Sequence, residues 1–200
     1  MRLMLQGRAS GILFMGLFGA AWASQAAAKL PMPYMAVIYA VAAAVAGALV
    51  WVSFRVRTLA RAQPEPSAEE AAVVARGEKR FYWVLGAEGV ALFVAGNVLI
   101  NLHQLDYLGA VVALIVGLHF FPLRHVFRLS VYNVTGALMS LVGIVAITAL
   151  ATGHDLGADH AWDVVTGVAC ALILWGTCAA VILRVRRLLA EASGATRSAG

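Results

Sequence analysis

The stretch "FYWVLGAEGVALFVAGNVLIN", residues 81–101, decides the fold class. Twenty-one residues at 1.5 Å per residue span about 30 Å, the thickness of a bilayer's hydrocarbon core. It nevertheless carries Glu88 a third of the way along and Asn97 and Asn101 near its far end. Such a segment is a membrane helix whose polar groups require partners.

The rest of the chain has the same character. Of its 200 residues 62% are hydrophobic and 12% charged, about half the charged fraction of a soluble domain. Mean hydropathy is +0.85. The apolar residues fall in runs of about 20, not in the short alternating segments of a transmembrane barrel. The reading is an all-α bundle of six transmembrane helices at about 9–28, 33–54, 81–101, 105–122, 130–152 and 161–183, in a single domain over 1–190. Pro122 and Arg124 cut the fourth span short, with Pro122 ending its helix. The segment 55–80 reads as a loop, extended at Pro64 and Pro66, with a short surface helix after Ser67. The tail 191–200 has no apolar face and reads as disordered.

Fourteen of the 15 basic residues fall before span one, in 55–80, between spans four and five, or after span six; Lys29 alone lies on the other side. Under the positive-inside rule both termini are cytoplasmic. A net charge of +5 arranged this way sets topology and suits anionic headgroups, not nucleic acid. Arg2 and Arg8, the apolar run and Ala21-Trp22-Ala23 also fit a cleavable signal peptide. The apolarity that continues through Ala28 favours a retained span. Cys170 and Cys178, eight apart on one helix, cannot form a disulfide and read as packing residues.

Small residues mark the expected helix interfaces. Span two offers Ala40, Ala44 and Ala48 beside Ala43 and Gly47. Span four offers Gly109, Ala113 and Gly117. Span five has Asn133, Gly136, Ser140 and Gly143, and span six Asp163, Thr166, Cys170 and Thr177. In span three Glu88 shares a face with Ala91, Leu92, Ala95 and Gly96, while Asn97 and Asn101 form a second polar face opposite. With protein expected on both faces, span three is placed at the centre of the bundle.

Hairpin symmetry then assigns depth. Glu88 and His119 are each 15.5 positions from the turn at 103.5, and His119 and Asn133 are each seven from position 126. All three lie roughly 5–11 Å inside the membrane edge, and Thr177, seven residues before Arg184, reaches a similar depth. Glu88, His119, Asn133 and Thr177 are therefore the candidate intramembrane polar layer, serving either as a proton relay or as a structural clamp. At the other side His103, Asp159, His160 and Asp163 are of metal-ligand type, but no HxxxH or HExxH pair organises them. Asp159 reads as a helix cap, so neither metal nor cofactor is expected. For haem, His103 and His160 could meet at the outer edge, but His119 and His125 lack facing partners, so haem is not expected, and no nucleophile–base constellation suggests an enzyme.

"GLHFFPLRHVF", residues 117–127, resembles a segment of small uncharacterised bacterial multi-pass inner-membrane proteins, on a GLHFFPL-type core covering spans four and five. The resemblance implies a bundle in the bacterial inner membrane, and brings no assigned activity or site residues. Two functions stay open. One is a small permease or proton-linked carrier using the polar layer. The other is a non-catalytic sensor or assembly subunit that meets a cytoplasmic protein partner through 55–80, its polar groups acting as a clamp. A membrane carrier with an inverted repeat would favour the first, and none is visible.

Overall fold

The computed structural model describes residues 1–127, 129–154 and 156–198, without the side chains of 70, 71, 73, 76, 78 and 192–198. Six α-helices follow one another: α1 (Arg2–Ala27), α2 (Met32–Arg61), α3 (Ala68–Asn101), α4 (Leu108–Phe127), α5 (Val131–Ala151) and α6 (Ala161–Ser198). A 3-10 turn, Leu105–Tyr107, leads into α4. All six helices contain a segment long and apolar enough to cross a membrane, and no strand occurs among the described residues.

Local chemistry ends several of these helices. Pro31 and Pro33 sit at the start of α2, where their missing N–H groups cost nothing. α3 and α5 both close in a 6→1, 5→2 hydrogen-bond pair around a left-handed residue. In α3 the Gln104 and His103 amides donate to Leu99 and Ile100, with His103 at φ +57; in α5 the His154 and Gly153 amides donate to Ala149 and Leu150, with Gly153 at φ +65.

Close contacts give the packing order. α1 lies between α2 and α6, α5 lies between α4 and α6, and α3 packs chiefly on α4. Neighbours run antiparallel: Ser53 of α2 donates to the Ala9 carbonyl, Cys178 of α6 to Ile12, and Thr135 of α5 meets Thr177 of α6. The core is built from α1, α4, α5 and α6, around Ile12, Ala113, Met139, Cys170, Leu174 and Val181. α1 is a core element in its own right, with Ala9, Ile12, Ala26 and Ala27 fully enclosed. The exposed apolar side chains, among them Trp83, Phe93 and Leu172, lie on faces that a bilayer would cover.

The expected small-residue interfaces hold for α4, α5 and α6: Ala113, Gly117, Gly136, Ser140, Gly143, Thr166, Cys170 and Thr177 are all buried. That of α2 does not. Ala40, Ala44, Gly47 and Ala48 face outward, and α2 packs instead through Ala42, Ser53, Val56 and Ala60. Both faces of α2 are apolar, so composition could not tell the one that meets protein from the one that meets lipid.

Four further expectations are corrected. First, 55–80 is not a loop: α2 continues to Arg61 and α3 begins at Ala68, leaving only 62–67 outside helix. The two prolines stop α2, but nothing between 68 and 80 interrupts a helix running straight into the span. Second, Pro122 does not end α4. The helix runs on to Phe127, whose ring packs on Tyr132 at 5.8 Å and Phe81 at 5.9 Å, and this packing outweighs one lost backbone bond. Third, the tail is helical through Ser198, because the leucines, alanines and glutamate after Arg187 favour helix and no proline follows; 199–200 lie outside the described residues. Fourth, α3 is not central. No residue from 81 to 101 is fully buried.

Candidate functional site: an acid and a base between α3 and α4

On α4, residues 113, 117 and 120 face inward against α5, which turns His119 towards α3. On α3 the small residues Gly86, Ala87 and Gly89 flank Glu88. The carboxylate and the imidazole meet there: His119 Nδ1 stands 3.1 Å from Glu88 Oε2, with the side chains 11% and 14% exposed. The approach has ion-pair distance without the alignment of a hydrogen bond, so Nδ1 is enclosed and unbonded. The His119 ring stands edge-on to Phe120, whose own ring stacks edge-on to Tyr132. The pair thus lies against the aromatic cluster at one end of the bundle, in surroundings of low polarity.

The rest of the expected layer divides. Thr177 bonds Thr135 across α5 and α6 at 2.7 Å and donates to its own Ile173 carbonyl. Asn133 is half-buried on α5, its Oδ1 enclosed and without a partner. Of the four residues expected in one layer, Glu88 and His119 pair between α3 and α4, Thr177 pairs instead with Thr135 of α5, and Asn133 joins neither pair. The second polar face of α3 also needs correction. Asn97 and Asn101 donate to the Phe93 and Asn97 carbonyls of their own helix at 2.7 and 2.8 Å, so each has a local bond for its amide N–H without a protein neighbour.

At the opposite end Asp163 is the focus. Its Oδ2 lies 3.8 Å from Lys29 Nζ and 3.4 Å from His160 Nδ1. It is the acidic residue in the first turn of α6, which starts two residues after Asp159, so Asp163 rather than Asp159 complements that helix terminus. A cavity of about 390 Å³ here is lined by Asp106, His154, Asp159, His160, Trp162 and Asp163. His103 is the left-handed closing residue of α3 and stands outside this lining. No three His, Cys, Asp or Glu side chains among the described residues converge as a metal-binding group.

Sequence reasoning passed over Arg8. Grouped with the topology-setting arginines, it is in fact 7% exposed, with Nε and Nη1 unbonded. Its position one turn before the fully buried Ile12, on the same helical face, was the available signal. No known protein family, curated protein or solved structure matches the chain.

Proposed function

We propose that this chain is a non-catalytic multi-pass membrane module, a sensor or assembly subunit, in which the Glu88–His119 pair fastens a peripheral helix that extends out of the membrane. The carrying observation is α3 itself. It is one continuous helix of 34 residues, about 51 Å long, with its main contact on α4 and its one intramembrane acid on that contact. Its first 13 residues precede the span, so any tilt of the span at Glu88 moves that extension as a lever. A soluble protein partner would read the extension on the basic side. We take that side as the cytoplasmic face of a bacterial inner membrane, with both termini inside, because fourteen of the 15 basic residues belong to it.

A second reading, a proton-linked carrier or small permease, is favoured by the pair's chemistry, an acid and a base 3.1 Å apart inside the membrane. The rim position of α3, where no residue from 81 to 101 is fully buried, weighs against it. Proton flux in reconstituted vesicles separates the two. The module reading expects equal flux from the wild type and Glu88→Gln, at the level of empty vesicles, and a broadened spin-label distance between α3 and α4 in Glu88→Ala. Flux that disappears in Glu88→Gln would replace it with the carrier.

A further inference from the structure

Arg8 is 7% exposed, on the part of α1 that also carries Leu5, Ala9 and Ile12, each at most 1% exposed. A guanidinium stays charged under all ordinary conditions, and burying one without an anion is among the costliest arrangements in a protein. The groups interacting with it electrostatically are Tyr132 of α5 and Arg184 of α6, the second a like charge. None of Arg8, Arg184 and Arg187 has an ion pair among the described residues. A second positive charge beside a guanidinium whose Nε and Nη1 have no partner is an arrangement that an anion would stabilise.

The space for one lies beside Arg184, the arginine that interacts with Arg8. A cavity of about 470 Å³ opens at the basic end, between the start of α5 and the second half of α6. Arg184 and Arg187 line it with Leu183 and Leu188, beside Ser130 and Val131 at the positive end of the α5 dipole. Ser130, the N-cap residue, makes no side-chain capping bond. Glu191 shares the wall, four residues after Arg187, and can offset at most one of the three cationic charges.

We infer that Arg8, Arg184 and Arg187 hold a phosphate group at this end of the bundle. Phosphate has the charge and the number of acceptor oxygens to occupy several guanidinium forks at once, which a single carboxylate lacks. The leucines of the wall suit the acyl chains of an anionic phospholipid whose headgroup sits on the arginines. A phosphate carried on a soluble molecule would use the same arginines.

The test uses the full-length protein in neutral detergent, with binding of phosphatidylglycerol and of phosphatidylcholine measured by native mass spectrometry. Phosphatidylglycerol is expected to bind preferentially, and Arg184→Gln or Arg187→Gln to weaken it about tenfold, the loss of one charge-assisted contact. Arg8→Met, which replaces the buried charge by an apolar chain of similar length, is expected to fold at least as well as the wild type in neutral detergent and to lose the preference. Inorganic phosphate that displaces phosphatidylglycerol at millimolar concentration would assign the site to a soluble phosphate. Equal binding of both lipids, or a preference unchanged in all three variants, would overturn the inference.

Discussion

A Cβ on Gly117 would stand 2.5 Å from the Ser140 amide nitrogen and 3.0 Å from the Gly136 carbonyl oxygen; one on Gly143 would stand 2.7 Å from the Ala110 carbonyl. These are backbone atoms of the facing helix and cannot turn aside, so the α4–α5 crossing is as close as glycine allows. Gly117→Ala and Gly143→Ala should each cost about 1–3 kcal/mol by overpacking. Gly47 has no atom within 4 Å of the same position, and Gly47→Ala should be neutral or stabilising by up to about 1 kcal/mol. Unfolding in mixed detergent micelles reads all three. The Thr135–Thr177 bond makes a smaller claim: a double-mutant cycle with valine should give a coupling of about 0.6 kcal/mol, the usual scale for side-chain bonds within membranes. At this scale the sequence was informative where antiparallel register decides the contact. Equal distances from one tight turn brought Glu88 and His119 to 3.1 Å. It was uninformative where a residue has a choice of partner, because Asn97 bonding its own helix and Asn97 bonding a neighbour have the same sequence signature.

Among the helices, α3 differs most from its expected place, and the reason is a premise about polar residues. Glu88, Asn97 and Asn101 were taken to need protein on two faces. Glu88 has one contact on α4 and each asparagine one bond to its own helix backbone, so none of the three draws protein onto a second face of α3. Trp83 is 74% exposed and Trp22 7%. In single-tryptophan variants reconstituted with brominated phospholipid, Trp83 fluorescence should be strongly quenched and Trp22 fluorescence little affected. Equal quenching would mean that α3 is covered, by a second copy or by another chain. The six spans themselves were legible because length and apolarity decide them. Helix continuity beyond the membrane was not, since 68–80 would read alike as a surface helix or as the start of α3.

For the whole molecule the charge distribution is the governing feature, and the packing strengthens it. Arg57 bonds Ser10 at 3.4 Å, Arg2 lies 3.8 Å from Glu65, and Arg8 interacts with Arg184, so the start of α1, the end of α2 and the second half of α6 share one end. At the other end the solitary Lys29 is paired with Asp163. The basic end therefore keeps nearly all of the unneutralised positive charge, and the proposed orientation, with that end on the cytoplasmic side, follows from the positive-inside rule. In a background with Cys170 and Cys178 replaced by serine, Ala62→Cys marks the basic end and Leu156→Cys the acidic one; both positions are exposed and outside helix. A membrane-impermeant maleimide added to intact cells should label Cys at 156 and reach Cys at 62 only after permeabilisation. The reverse pattern would overturn the orientation, and with it the assignment of the α3 extension to a cytoplasmic partner. Labelling of both sites in intact cells would mean mixed insertion, which the strong charge asymmetry is expected to prevent. Replacing Arg184, Arg186 and Arg187 together by glutamine leaves the arginines of α1 and α2 in place, so the same labelling pattern should persist if charge is counted over the whole chain.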